Sequence, residues 1–157
     1  MINTSILGYA VFLSGSSSWN QNNPVYAKPL VDKVPNWSMK NILIVEDDET
    51  NAYLLKAYLK KTQATVIQVS DGQKAVDLCQ SNLQIDLVLM DIRLPVMNGY
   101  KATKLIKSHR KDLPIIAQTA YALNSDKDCA FKAGCDDFLS KPISQDQLFQ
   151  VLSRFLS

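Results

Sequence analysis

A short apolar run that ends in acidic residues decides the fold of this chain: Asn41-Ile42-Leu43-Ile44-Val45-Glu46-Asp47-Asp48. Consecutive apolar residues, most of them β-branched, are typical of a strand that is buried on both faces, as in a parallel sheet. The next segment, Glu49 to Lys61, carries apolar residues such as Leu55 and Leu59 at helical spacing, which predicts an amphipathic helix. Together the two segments predict one βα unit.

The same unit recurs along residues 40–157, with turn residues such as Asp71-Gly72 and Asn98-Gly99 between the segments. Gly134 is expected to end the fourth helix and Ser144 to cap the last one. Alternating strands and helices predict an α/β fold, a doubly wound five-stranded parallel sheet flanked by five helices. The further predicted strands are Thr65–Val69, Ile85–Met90, Pro114–Gln118 and Asp137–Ser140, and the further predicted helices are Gln73–Cys79, Tyr100–His109, Ser125–Ala133 and Ser144–Leu156.

Polar residues follow four of the predicted strands at their carboxyl ends. The acidic run Glu46-Asp47-Asp48-Glu49 follows the first strand, Asp91 the third, Thr119 the fourth and Lys141 the fifth. In a parallel sheet these ends meet at one edge, where ligands bind. Carboxylates crowded there repel one another, and a hard divalent cation such as Mg²⁺ relieves the repulsion.

This set of residues also suits phosphoryl chemistry. A carboxylate beside Mg²⁺ can attack phosphorus and form an aspartyl phosphate, and Lys141 and Thr119 are donors for the phosphoryl oxygens. Taken singly, each residue has an ordinary interpretation: paired acids cap a helix, Thr119 lies in a loop, and Lys141 is a solvated charge. Their joint occurrence at four strand ends favours the functional interpretation.

Residues 40–157 resemble the receiver domain of bacterial two-component response regulators, with a flavodoxin-like topology. The resemblance is carried by four stretches that together span most of the segment: Ile42–Asp48, Asp86–Gly99, Pro114–Ala120 and Ala133–Ile143. Asn98 stands where many family members carry Asp, and we expect little effect because Asn keeps the turn chemistry. The amino-acid sequence of the last stretch is similar to that of the same stretch in receivers that are fused to hybrid histidine kinases.

The resemblance implies a role for each residue of the site. Asp91 would be the phosphoacceptor, and Thr119 and Lys141 would contact the phosphoryl group. Asp47, Asp48, Asp91 and the backbone carbonyl of Arg93 would hold Mg²⁺. Phe138 would change rotamer, together with a movement of Thr119, when Asp91 is phosphorylated. The implied donor is the phosphohistidine of a sensor histidine kinase or a histidine phosphotransfer protein, and a phosphorylation-dependent dimer is a further expectation.

Three alternatives stay open at this point. Phosphohydrolases with an aspartyl nucleophile typically place a second Asp two residues later, where this chain has Arg93. A flavodoxin-like cofactor binder would need a phosphate-binding loop after the first strand, where the acidic run would repel phosphate. The chain is either a stand-alone receiver or a fragment of a longer hybrid histidine kinase, since no room for a DNA-binding effector follows Ser157.

Residues 1–39 differ in composition from the rest and are predicted to be a partly disordered tail or linker. They hold only three charged residues and a Ser/Asn-rich run, Ser14 to Asn23. The apolar stretch Ile6 to Leu13 is too short to span a bilayer, and no Lys or Arg precedes it as in a signal peptide.

Composition excludes several classes of partner and site. A net charge of +2 gives no electrostatic case for binding nucleic acid or a membrane. Three cysteines without a C-x-x-C motif argue against a disulfide scaffold or a zinc finger and favour reduced thiols in the cytoplasm. The basic run from Lys101 to Lys111 is predicted to be a solvated face, with docking of an acidic partner as the alternative.

Overall fold

Five strands and five helices alternate along the chain. The structure, a computed structural model, describes residues 34–120 and 124–156. The strands are β1 (Asn41–Val45), β2 (Thr65–Val69), β3 (Leu87–Asp91), β4 (Ile115–Thr119) and β5 (Asp137–Ser140). The helices are α1 (Glu49–Lys60), α2 (Gly72–Ser81), α3 (Gly99–His109), α4 (Asn124–Ala133) and α5 (Gln145–Leu152).

All strands are parallel, and the sheet has the order β2-β1-β3-β4-β5. The chain therefore runs outward from β1 in one direction through β2 and in the other through β3, β4 and β5. The point where this order reverses lies between β1 and β3, and α/β folds bind their ligands beyond the carboxyl ends of the strands at that point. The predicted doubly wound fold is confirmed.

Each face of the sheet carries its own apolar core. Alternate strand residues such as Val45 and Met90 pack with α2, α3 and α4, which we call the first core. The intervening residues, such as Ile44 and Leu89, pack with α1 and α5, which we call the second core. Because side chains alternate along a strand, this division also fixes the face on which each polar residue at the strand ends lies.

The second core includes a residue from the segment that precedes β1. Trp37 is only 4% exposed, and its ring meets Phe149 of α5 edge to face, with 5.8 Å between the ring centroids. Its backbone N–H donates to the carbonyl of Thr62 at 2.7 Å. The predicted domain boundary at residue 40 therefore leaves a core residue in the linker. The Ser/Asn-rich run and the early apolar stretch lie outside the described residues.

Side-chain caps fix where the helices begin. Asp48, Asp71, Asn98 and Ser144 each accept a backbone N–H from the first turn of the following helix, as predicted for Ser144. Gly134 follows α4 with φ of +102°, a conformation that favours glycine. Helix α5 ends at Leu152, not at Leu156 as predicted. Within the described residues, no helix has the length and apolar character needed to cross a membrane.

Candidate functional site

The acidic site follows from the alternation of side chains along β1 and β3. Ile42 and Ile44 of β1 face the second core, so the next residue of that parity, Glu46, points to the same side of the sheet. Leu87 and Leu89 of β3 face the second core as well, and Asp91 continues their series. Two carboxylates from the central strands thus converge at the switch point of the sheet.

Lys141 bridges these two carboxylates. Its Nζ lies 2.6 Å from Oδ2 of Asp91 and 2.8 Å from Oε2 of Glu46. The side chain of Glu46 is only 1% exposed, that of Asp91 is 9% exposed, and that of Lys141 is 19% exposed. The chain itself therefore supplies the cation that compensates the two buried acids.

The ionisation of the bridged groups reflects both burial and pairing. Burial and the nearby charge of Asp91 raise the pKa of Glu46, and the hydrogen bond from Lys141 opposes this only in part. Burial acts to lower the pKa of Lys141, but hydrogen bonds to Asp91 and Glu46 outweigh it and raise that pKa above its ordinary value. Lys141 is consequently a firmly charged ammonium at neutral pH.

Asp47 completes a group of three carboxylates. One oxygen from each of Glu46, Asp47 and Asp91 lies within 4.8 Å of the others, close enough to share one metal ion. Asp47 is exposed, whereas its two partners are buried, so the group is open to solvent on one side. A set made only of carboxylate oxygens at an accessible edge suits a hard cation such as Mg²⁺.

The geometry does not bring Asp48, which was also predicted to hold the metal, into this group. Asp48 is exposed, and its Oδ1 accepts the backbone N–H of Asn51 at 2.8 Å as the cap of α1. Glu46, which the prediction did not include, lies in the group instead. Alternation from Ile42 and Ile44 points Glu46 at the buried side of the site, whereas Asp48, although of the same parity, lies past the end of β1, where the chain has already turned into α1.

The loop after β3 holds the backbone of Arg93 against Asp91. The Arg93 N–H donates to Oδ1 of Asp91 at 2.9 Å, so both oxygens of this carboxylate have fixed partners. The loop closes where the Gly99 N–H donates to the carbonyl of Ile92 at 3.0 Å. A side chain on Gly99 would not fit, because its Cβ would lie 2.1 Å from the carbonyl oxygen of Asp91.

Strand alternation places Thr119 and Phe138 on the face of the first core, because Thr119 follows Ala117 by two residues and Phe138 packs against that core. Thr119 ends β4, and its backbone carbonyl accepts the backbone N–H of Lys141 at 2.8 Å. Thr119 and Arg93 both line an open cleft of about 330 Å³. Phe138 packs against the first core from β5. Its ring lies 4.4 Å from Nζ of Lys127 and meets Phe131 edge to face. Two residues of α4 therefore hold the ring of Phe138.

Comparison with known proteins agrees with this fold. The family model of the response regulator receiver domain matches residues 42–153. The hybrid signal transduction histidine kinase G of Dictyostelium discoideum is 40% identical over 134 residues, which are 82% of this chain and 4% of that protein. The chain thus spans only a small part of that relative.

Two solved structures are similar in sequence and in shape. One is the receiver domain of the sensor histidine kinase PA1611 from Pseudomonas aeruginosa PAO1, with a magnesium ion coordinated in its active site cleft. It is 38% identical, with a TM-score of 0.70 over 74% of this chain and 97% of that one. The other is the receiver domain of the Saccharomyces cerevisiae response regulator Ssk1, in complex with the histidine phosphotransfer protein Ypd1. It is 29% identical, with a TM-score of 0.72 over 79% and 91% of the two chains.

A doubly wound sheet with an acidic group and a bridging lysine at its switch point defines a signalling domain of the phosphorelay class. The chain belongs to the response regulator receiver domain family of two-component systems.

Proposed function

We propose that Asp91 accepts a phosphoryl group from a phosphohistidine. One carboxylate oxygen of Asp91 attacks phosphorus, the P–N bond to the donor histidine breaks, and its electron pair stays on the imidazole nitrogen. The observation that carries this proposal is the bridge from Lys141 to Glu46 and Asp91. It puts an ammonium group beside the oxygen that would become part of the acyl phosphate.

The residues around Asp91 have distinct tasks in this step. Lys141 can release Glu46 and donate to a phosphoryl oxygen, and the Thr119 hydroxyl is the second donor. Glu46, Asp47 and Asp91, with the backbone carbonyl of Arg93, would hold Mg²⁺. When bound, Mg²⁺ would neutralise the charge that gathers on the phosphoryl oxygens.

The proposed output is a change at the face formed by α4, β5 and α5. Donation by Thr119 to the phosphoryl group would draw this residue toward Asp91 and give Phe138 room to turn inward. In the present structure Lys127 and Phe131 hold the Phe138 ring from α4, so the turn would break those contacts. A local charge change would thereby bias a two-state element, as in other phosphorylation switches.

The donor is proposed to be a histidine phosphotransfer protein or a sensor histidine kinase. Large apolar side chains are exposed around the carboxyl edge of the sheet: Val96 after β3 is 88% exposed, and Tyr53 of α1 is 73% exposed. Such groups beside a polar site are typical of protein contacts. The complex of Ypd1 with the Ssk1 receiver supports a donor of this kind.

Turnover of external substrates is not part of the proposal. The residue two positions after Asp91 is Arg93, whose backbone N–H binds the Asp91 carboxylate, and no acid stands there to protonate a leaving group. Steady release of phosphate from a simple monoester would instead favour a phosphohydrolase. We also propose a cytoplasmic location and a phosphorylation-dependent dimer, and both proposals rest on the sequence and the family.

The test is the intact mass of the protein after incubation with acetyl phosphate and Mg²⁺. We expect one added phosphoryl group on the wild type, and none on Asp91→Asn or in the presence of EDTA. Asp86→Asn is the matched control, because Asp86 lies at the opposite edge of the sheet, where it accepts the Asn41 N–H. Stoichiometric labelling of Asp91→Asn would remove Asp91 from the proposed role.

A further inference from the structure

A fully buried glutamine lies beside the candidate site without a partner for its side chain. Gln118, in β4, is 0% exposed, and neither its amide oxygen nor its amide nitrogen has a hydrogen-bond partner among the described residues. Leaving an amide unpaired in the interior is costly, so buried amides are almost always bonded to protein or to ordered water.

The register of the sheet sets Gln118 next to Asp91. The two residues are partners across β3 and β4, and Leu139 of β5 is the partner of Gln118 on its other side. Ile116, two residues earlier, faces the second core, so Gln118 points to the same face as Asp91 and Glu46. Its amide is therefore directed into the side of the sheet on which Lys141 bridges the two acids.

Gln118 also lines a small cavity. The cavity has a volume of about 50 Å³, and its polar lining residues are Gln118, Asn51 and Lys141. A buried water needs about 10–15 Å³ of such space and two to four polar partners. The volume is sufficient for ordered water and too small for an organic ligand, and the three polar lining residues carry the groups that could bind such water.

We propose that this cavity binds ordered water that links the Gln118 amide to the Lys141 ammonium, and that Gln118 is a positioning residue for Lys141. The ammonium has three N–H groups, of which Glu46 and Asp91 accept two. The water accepts the third and donates to the amide oxygen of Gln118. The inference rests on the proposed function, since it explains how Lys141 stays aimed at the phosphoryl site after it leaves Glu46.

The first test looks for the water itself and needs no phosphorylation. In NMR spectra of the wild-type protein, we expect the side-chain amide protons of Gln118 to show cross-relaxation with long-lived water. A crystal structure should show solvent density within hydrogen-bond distance of the amide. A Gln118 amide without such contacts, bonded directly to a protein group, would overturn the inference.

The second test compares Gln118→Met with Leu139→Met in the rate of labelling by acetyl phosphate and in unfolding by urea. Met keeps the length of Gln118 but removes the amide, and Leu139 is the buried neighbour on the same face. We expect Gln118→Met to lower the rate about tenfold, as for a lost hydrogen bond to a charged group, with stability unchanged or raised. Leu139→Met should keep the wild-type rate within about twofold, as a volume-conserving change.

The outcomes separate the two proposals. A wild-type rate in Gln118→Met would contradict the positioning role, and a parallel loss of rate and stability would mean that Gln118 is merely structural. If the wild type is not labelled at all, the proposed function fails, and the NMR result still decides whether the cavity holds water. The NMR test also decides the matter if Gln118→Met does not fold.

Discussion

The charged residues at the two ends of the parallel strands are paired differently. We call the end where the strands finish the carboxyl edge, and the end where they begin the amino edge. At the carboxyl edge, Glu46, Asp91 and Lys141 pair with one another. At the amino edge, charged side chains also bind the backbone. Asp86 accepts the Asn41 N–H at 2.7 Å, and Asp136 accepts the Ile115 N–H at 2.8 Å, so each carboxylate holds the first residue of a neighbouring strand.

Basic residues at the amino edge complete the same arrangement. The Arg110 guanidinium donates to four backbone carbonyls: that of Cys79 in the last turn of α2, and those of Asn82, Leu83 and Ile85 in the segment that connects α2 to β3. Lys107 donates to the backbone carbonyl of Lys111 at 3.1 Å as well as to Asp136 at 2.7 Å, and its side chain is only 15% exposed. The prediction of a solvated basic face is therefore wrong for Lys107 and Arg110, which hold loops in place.

The difference shows what makes an edge chemically competent. Backbone groups occupy fixed positions, so a charged side chain that is bound to them cannot leave without disturbing the fold. Side-chain partners can exchange, so Lys141 can leave Glu46 when a phosphoryl oxygen arrives. The charges at the carboxyl edge are therefore available for chemistry, and those at the amino edge are not.

The largest effect is expected for Lys141→Met. Loss of the ammonium should slow labelling of Asp91 by acetyl phosphate about 100-fold, as when one charge-stabilising donor is removed. It also leaves Glu46 and Asp91 facing each other without a cation. The pKa of Glu46, already raised by burial, should rise further. Because a carboxyl whose pKa is raised by folding loses stability as pH rises, the variant's deficit in unfolding free energy should grow from about pH 5 to about pH 8.

Lys107→Met is the matched control at the amino edge. Asp136 keeps its bond to the Ile115 N–H in this variant, and among the described residues Asp136 is the one acid that loses an ion pair with Lys107. Labelling should proceed at the wild-type rate. Urea unfolding at about pH 5 and about pH 8 compares the two variants. If both lost the same unfolding free energy between these pH values, the two edges would not differ as described.

The next effect concerns the close approach of Gly99 to the phosphoacceptor. In Gly99→Ala the new Cβ would meet the carbonyl oxygen of Asp91 at 2.1 Å, which forces the loop to move. We expect a loss of about 2 kcal/mol in unfolding free energy, together with slower labelling. Gly134→Ala, near the amino edge, should cost about 1 kcal/mol through its positive φ and leave labelling unchanged.

A smaller effect separates the two neighbouring acids after Glu46. Asp47→Asn removes one carboxylate of the candidate metal group and should weaken Mg²⁺ binding about tenfold, the loss of a single charged ligand. Asp48→Ser removes a charge one residue away but retains a side chain that caps α1. Its Mg²⁺ affinity should stay within about twofold of the wild type. Titration calorimetry with Mg²⁺ measures both affinities. Equal losses of affinity in the two variants would mean that Asp48 also belongs to the metal site.

The smallest effect concerns the thiols. Burial raises the pKa of both Cys79 and Cys135 to about 11, so these thiols stay protonated at neutral pH. Cys129 is exposed on α4. Iodoacetamide should therefore modify Cys129 alone in the native protein and all three cysteines in urea, as peptide masses would show. Native modification of Cys135 would mean that the amino edge opens.

Local patterns predicted the sheet but not every contact between its elements. The bounds of β1, β2 and β5 were predicted correctly: β-branched runs mark β1 and β2, and Gly134 and Pro142 lie on either side of β5. Strand β3 begins at Leu87 rather than Ile85, since Asp86 is engaged with Asn41 at the amino edge. Helix α5 stops at Leu152 although apolar spacing continues to Leu156, which is buried without being helical.

The site was predictable in outline for a topological reason. Parallel strands bring their carboxyl ends together, so Asp91, Thr119 and Lys141 had to lie at one edge. The choice between Glu46 and Asp48 depends on where β1 ends and α1 begins, because the two residues have the same parity and only Asp48 lies in the helix cap. The unpaired burial of Gln118 depends on packing between distant segments, and no local pattern reports it.

The central claim is that Asp91, at the carboxyl edge, is the residue that takes the phosphoryl group. The most direct measurement is reduction of the labelled protein with borohydride, which converts an aspartyl phosphate into homoserine, followed by peptide mass analysis. We predict homoserine at position 91 alone, with none at Asp47 or Asp86. Homoserine at another aspartate, with an intact Asp91 in a protein labelled stoichiometrically, would contradict the account.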